Sequence, residues 1–238
     1  MLSASVNHKK YKATKLEFYP ITQREQGYVI PIMYAYKPTA VQPLYLEGPL
    51  MHSTEGVQQK VYGPVIHAYV GYRSVLAFER TIKDIYARAV RSVWDSTRDI
   101  RELKRLPSID CIYSLLPPPL YMLKEGGLRN RYLPIKPSTV FRLPVTDESG
   151  DYITVTGTEL VNLHLSFIPI FKMSDITVRT DGNANSITLR MDLEECVVTH
   201  MSKHLVRQIK TLHSLNQNKK LVETVQKQLV FLRVQRVS

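Results

Sequence analysis

Three consecutive prolines, Pro117 to Pro119, lie inside the apolar stretch YSLLPPPLYML of residues 113–123. Each removes a backbone donor and fixes φ, so no central strand can pass through them and a polyproline II corner is expected. The hydrophobic period differs on either side of this corner. Before it, ERTIKDIYARAVRSVW places Ile82, Ile85, Tyr86, Ala89, Val93 and Trp94 on one stripe, which predicts a helix over Arg80 to Trp94 packed on the core. Thr81 and Asp84 have the spacing of a capping box, and STRDIRELKRLP reads as a second short helix ended by Pro107.

After the corner, TVFRLPV, DYITVTG, ELVNLHLSFIPIF, DITVRT and SITLRM alternate apolar and polar residues and read as antiparallel strands. In the third of them Val161, Leu163, Leu165 and Phe167 face one way, Asn162, His164 and Ser166 the other. Upstream, VIHAYVGYRS, Val65 to Ser74, has strand composition. LEFYPITQREQGYVIPIMYAYKP, broken by Pro20 and Pro31, reads as irregular or sheet-edge chain. From about Val198 the period lengthens to that of a helix through Met201, Leu205, Ile209 and Leu212, with a second stripe at Val222, Val225, Leu229 and Leu232. The expected fold is therefore a single α+β domain. A twisted antiparallel sheet built between Val65 and Met191 packs against helices, with residues 17–198 as core, 1–16 as a basic flexible arm and 199–238 as a pair of basic helices.

Charge supports that division. The chain of 238 residues carries a net charge of +11, but not evenly. Lys9, Lys10, Lys12 and Lys15 stand in residues 1–16 with no acid. Lys203, Arg207, Lys210, Lys219, Lys220, Lys227, Arg233 and Arg236 stand in residues 199–238 against Glu223 alone, and the intervening body balances at zero. Charge segregated in this way attracts phosphate, on nucleic acid or on anionic lipid headgroups. The plainer alternative is a pair of solvated tails that aid solubility.

Hydrophobic residues make up 44% of the chain, enough for a sizeable core, and no apolar run reaches the ~20 residues of a membrane helix. The first fifteen residues contain no apolar stretch of signal-peptide type, and two cysteines, Cys111 and Cys196, cannot make a disulfide framework; a reducing compartment is the expectation.

Motifs of catalysis are missing: no Gly-x-Ser-x-Gly elbow, no glycine-rich phosphate loop, no His-Glu-x-x-His and no Cys-x-x-Cys occur. A non-enzymatic role is expected, with no catalytic residue, metal or cofactor. Two metal-like spacings have ordinary explanations. Cys196, His200 and His204 have outer members ~12 Å apart on a straight helix, too far for one ion; only the pair His200 and His204 could chelate zinc, and two ordinary helix histidines are the plainer reading. Asp181, Asn183, Asn185 and Asp192 echo a calcium loop, but Ser186 stands where that loop needs glycine, and a polar hairpin turn accounts for the same residues.

Pro118, Pro119 and Tyr121 spell Pro-Pro-x-Tyr, the motif that WW domains grip in an aromatic-lined groove. The competing reading is a rigid loop whose Tyr121 packs on the body, since Leu115, Leu116, Met122 and Leu123 are apolar. Docking requires an accessible Tyr121 ring.

Basic ends, mixed α and β structure, no catalytic signature and Pro-Pro-x-Tyr together resemble the matrix proteins of negative-strand RNA viruses, rhabdoviruses in particular. The resemblance is one of kind. It implies a compact α+β core behind a basic amino-terminal arm and a self-associating protein that coats the inner membrane face of the virion. It also implies condensation of the nucleocapsid, and budding promoted by a WW-domain host ubiquitin ligase. Host cytoplasm and membrane periphery would be its other locations. Pro118, Pro119 and Tyr121 match the budding motif, and the four amino-terminal lysines match the arm in composition. Two other classes remain: a nucleic-acid-binding accessory protein of viral movement or silencing type, whose basic helices after Met201 track phosphates, and an enzyme with an unrecognised site.

Overall fold

Alternation over residues 165–201 produces the longest elements of the fold. The computed structural model describes residues 4–201 except 26, 62, 101, 102, 105, 107, 118–129, 148, 162, 182 and 183, together with 211; for 72, 73, 130–132, 180, 181, 184 and 185 only the backbone is described. In chain order the strands are β1 (Val6–Asn7), β2 (Leu16–Phe18), β3 (Thr22–Arg24), β4 (Gly27–Lys37), β5 (Ala40–Glu47), β6 (Met51–Ser53), β7 (Val57–Lys60) and β8 (Gly63–Val70). Helices α1 (Tyr72–Asp95) and α2 (Ile109–Leu115) come next, and then β9 (Asn130–Pro134), β10 (Val140–Thr146), β11 (Tyr152–Thr156), β12 (Leu165–Asp181) and β13 (Ala184–Met201). Among the described residues the class is mixed α and β, a large sheet with two α-helices.

β12 and β13 form one antiparallel hairpin, from Leu165 opposite Met201 to Asp181 opposite Ala184. Along its other edge β12 accepts three partners in turn: β6 at Leu165–Phe167, β5 at Ile170–Met173 and β4 at Asp175–Arg179. β13 carries β10 in parallel at Glu195–Val197, and β11 closes that side. The ladder continues from β6 to β8, which pairs with β7 and β9. One apolar cluster joins sheet and helices, including Ile30, Leu46, Ile66, Phe141, Phe167 and Phe171 from strands and Phe78, Ile82, Ile85, Ala89 and Val93 from α1. The Phe78 and Phe171 rings stack at 5.7 Å between centroids.

The helix stripe expected at 82, 85, 86, 89 and 93 is buried, with Trp94 partly so. Its start differs: Val75 and Phe78 extend the same stripe, and α1 begins at Tyr72, where strand is expected to run on to Ser74. Thr81 consequently lies inside the helix and caps nothing. Its hydroxyl faces the Ala77 carbonyl at 3.3 Å and the His8 carbonyl at 3.0 Å. The STRDIRELKRLP segment forms turns that bury Ile100 and Leu103, while the second helix falls beyond Pro107, over Ile109–Leu115.

Further expectations are corrected by the sheet. It draws on strands from Val6 to Met201 rather than from Val65 to Met191, it contains the parallel pairs β1–β5 and β10–β13, and Gly157–Leu160, at the start of the third expected strand, is a turn of 3-10 helix. Pro31 does not break β4. Opposite it stands Asp175, where β12 bulges between Met173 and Ile176, so the missing N–H falls at an interruption the ladder already has. Gly27 begins this strand at φ 133°, and a Cβ there would run into the Val178 carbonyl. Likewise, Val198 to Met201 are strand, not helix. β13 takes two residues against one of β12 between Leu193 and Glu195 and again between Val198 and His200. Each bulge reverses the parity of the residues beyond it, leaving Leu193, Cys196, Val198 and Met201 all buried at an irregular spacing. The basic helical pair expected after Met201 lies outside the described residues, apart from Thr211.

Phe78→Ala should cost ~3–5 kcal/mol, as truncation of a fully buried ring does. Chemical denaturation of Phe78→Ala, Phe171→Ala and the double variant should also reveal a coupling of ~0.5–1.5 kcal/mol from the stacked pair. Additive losses would mean that the rings are merely co-buried.

Candidate anionic-surface interface

The amino-terminal lysines do not hang from a free arm over residues 4–16. Val6 and Asn7 pair in parallel with Leu46 and Glu47, and the end of β5 acts as a receptor for the segment. The Ser5 hydroxyl donates to Glu47 Oε1 at 2.5 Å, the Asn7 amide approaches Oε2 at 3.4 Å, and the His8 N–H donates to the Glu47 carbonyl at 3.1 Å. His8 is buried edge-on against Phe78, with ring centroids 5.6 Å apart. Tyr11 stacks on Tyr34 and donates its hydroxyl to Asp84 Oδ2 at 3.1 Å, and the Lys12 N–H donates to the Tyr34 hydroxyl at 3.1 Å. A turn of 3-10 helix at Ala13–Lys15 then leads into β2, where Leu16 is buried.

Apolar and uncharged side chains thus alternate with the lysines as anchors. Lys9, Lys10 and Lys12 are exposed and Lys15 is half-buried. Among the described residues no ion pair holds any of the four. Three cations on or beside the sheet are engaged: Lys136 and Arg190 meet Asp192 at 2.5 and 2.9 Å, and Arg142 meets Glu195 at 2.9 Å. Burial, the largest influence on Asp192, would raise its carboxyl, but bonds from Lys136 and Arg190 together outweigh it and hold it below the usual range. Burial raises the Glu195 carboxyl, against the opposing pull of Arg142.

Docking also brings in cations that sequence reasoning missed. The His8 carbonyl on Thr81 and the Tyr11 hydroxyl on Asp84 lay the segment along α1, whose Arg80, Lys83, Arg88 and Arg91 are exposed. Arg88 is paired to Asp84 at 3.0 Å. In a net count these residues vanish against the acids of the body, whereas in space they adjoin the amino-terminal lysines. The available signal was the exposed face of α1, where Arg80, Lys83, Ala87 and Arg91 fall on one side.

Other expected site residues are not assembled here. Pro118, Pro119 and Tyr121 lie outside the described residues, as do Lys203, Arg207, Lys210, Lys219, Lys220, Lys227, Arg233 and Arg236. Immediately before the proline motif, Leu116 is buried with its carbonyl accepting the Tyr86 hydroxyl at 2.7 Å, and Pro117 is exposed. His200, expected on a helix, is on β13 together with Cys196, and His204 lies outside the described residues. Cys196 is buried while the bulge at Thr199 turns His200 outward, so the two do not converge. Asp192 is a strand residue bound by two cations rather than a loop ligand. Among the described residues no cluster of three metal-ligating side chains occurs, and no helix is long and apolar enough to cross a membrane.

His8 makes the docking sensitive to acid. Its Nδ1 lies 3.0 Å from the Glu47 carbonyl, which only accepts, so Nδ1 carries the proton and Nε2 is left buried without a partner. Burial lowers the pKa of the ring below the ordinary 6.5, with Lys9 adding to the shift and the bond to Glu47 opposing it. The unfolded chain therefore takes up a proton near pH 6.5 that the docked ring refuses. The stabilisation is complete above that pH and declines below it, at no more than about 1.4 kcal/mol per pH unit for one proton. The protection factors of the amides at Val6 to His8, exchange rates corrected for the intrinsic pH dependence of exchange, should fall as the pH drops below 6.5, and His8→Phe should remove that fall; identical protection profiles for the two chains would show that His8 does not control docking. No family model, curated protein or solved structure matches this chain.

Proposed function

We propose that the protein is a viral matrix-type structural protein that binds anionic membrane and nucleocapsid, self-associates, and promotes assembly and budding through Pro-Pro-x-Tyr. The observation that carries this reading is the display of Lys9, Lys10 and Lys12 on a docked segment beside the exposed Arg80, Lys83 and Arg91 of α1. Cations held on a rigid body present a charged face without ordering an arm at each encounter, so less entropy opposes binding. Each lysine or arginine near an anionic leaflet contributes roughly 1 kcal/mol, reduced by salt over a Debye length of ~8 Å. The basic residues from Lys203 onward would add to the same attraction.

Neutralising Lys9, Lys10, Lys12 and Lys15 together to Gln should reduce flotation on phosphatidylserine vesicles at least tenfold, since four cations at ~1 kcal/mol each exceed that loss even after screening. Thermal stability should barely change, because none of the four is buried. Unchanged flotation would remove this face from the membrane reading.

Tyr121→Ala should abolish binding to a WW domain while leaving the melting temperature within a degree or two, if the motif docks in the polyproline manner. A loss of ~3–5 kcal/mol in stability would instead place the ring in the core and leave the reading resting on charge.

A further inference from the structure

A groove of about 700 Å³ opens between the β2 segment, the carboxy-terminal half of α1 and α2. Two tyrosines from separate elements line it and remain open to solvent, Tyr19 at 39% and Tyr113 at 43% exposure. Both are held in place. The Tyr19 N–H donates to the Pro31 carbonyl at 3.0 Å, and the Tyr113 ring leans on Tyr86 at 5.9 Å. Arg88 and Arg91, both exposed, line the groove from α1. Asp84 neutralises Arg88, its Oδ2 accepting from Arg88 Nε at 3.0 Å and from the Tyr11 hydroxyl at 3.1 Å, so Arg91 is the cation left for a ligand, with Asp95, the last residue of α1, as the second acid of the lining.

Exposed aromatic faces beside guanidinium groups are the two parts of a single-strand platform. Bases stack on the rings, phosphates meet the arginines, and an unpaired carboxylate can accept from a base amino group. A purely apolar peptide would leave the arginines and Asp95 desolvated without partners. A lipid headgroup would use the cations and leave both rings idle. We infer that this groove binds single-stranded nucleic acid, with Tyr19 and Tyr113 as stacking platforms and Arg91 as the principal phosphate contact. Arg91 is shared with the cationic face of the membrane reading, whereas Tyr19 and Tyr113 are not, so the tyrosine pair distinguishes failure of the groove from failure of that reading.

Fluorescence anisotropy of the full chain with a labelled single-stranded RNA of mixed sequence, against the same RNA annealed to its complement, tests the groove. Tyr19→Ala with Tyr113→Ala should weaken single-strand binding about tenfold or more, because each stacked base is lost, while Tyr19→Phe with Tyr113→Phe keeps it. Arg91→Gln should lower both the affinity and the salt slope, the latter by about one contact. Flotation on phosphatidylserine vesicles should be unchanged by the tyrosine pair. Equal affinity for duplex and single strand, or unchanged binding by the alanine pair, would overturn the inference; so would loss of flotation in parallel with RNA binding. Should the alanine pair melt below the assay temperature, Tyr113→Ala alone and Arg91→Gln decide the question by the same criteria.

Discussion

Everything in this fold is hung on the long hairpin of β12 and β13, and the hairpin works because its pairing is interrupted. A flat two-stranded ribbon of that length would twist its ends far apart and offer one straight edge. Bulges between Ser166 and Phe167, Ile170 and Phe171, and Met173 and Ile176 change the direction of that edge. The last of them, carried on β12, coincides with the place where β12 exchanges β5 for β4, while the other two, carried on β13, lie within the stretches paired to β6 and to β5. Sequential partners along one strand bring distant segments to one core, and the same arrangement fixes the end of β5. Glu47 stands opposite Ile170 of β12 and, on its other side, receives Asn7 and His8. The display of the amino-terminal lysines therefore depends on an interior strand.

That dependence bears on how charge is used. Each lysine of the amino-terminal segment stands next to or near a residue that is bound: Lys9 follows buried His8, Lys12 follows Tyr11, and Lys15 precedes buried Leu16. The anchors are neutral, so screening by salt weakens what the lysines attract without loosening the segment that carries them. Acid acts the other way. Protonating His8 places a charge against Phe78 and beside Lys9 and opposes docking, while the lysines themselves keep their charge. Strength of attraction and geometry of display thus answer to different conditions.

How much of this is legible in the sequence depends on whether a signal is local. The buried stripe of α1 repeats at helical spacing in contiguous chain and is plain to read, apart from Val75 and Phe78 at its start, where Gly71 and aromatic neighbours imitate strand. The strands β10 and β11 are equally plain. The pattern cuts β13 short because Leu193, Cys196, Val198 and Met201 are all buried at spacings of three, two and three, and only the partner strand reveals the bulges that produce them. Pro31 signals a break for a related reason: whether a missing N–H matters depends on what lies across the ladder, here the bulge at Asp175. Counting finds the lysines but not their docking, since Glu47 lies about forty residues from His8. Arg80, Lys83 and Arg91 disappear in a net charge of zero.

The groove illustrates the same limit from the side of chemistry. Tyr19, Arg91 and Tyr113 belong to no motif, and their separations in the chain carry no information. What joins them is Leu16 to Phe18 pairing with Ile32 to Tyr34, which carries Tyr19 past the edge of β2, and α2 packing on α1 through the buried Ile112. Truncating Ile112 would shift Tyr113 with the helix that holds it, whereas truncating Tyr113 removes only a partly exposed ring. A platform of this kind is set by packing beneath it, so its geometry is as firm as the core and its surface remains open to change. Since β2 also terminates the segment bearing Lys12 and Lys15, cations and rings share one support. A single-stranded ligand leaving the groove along β2 would meet those lysines, and a membrane approached by the lysines would lie beside the groove rather than over an unrelated surface.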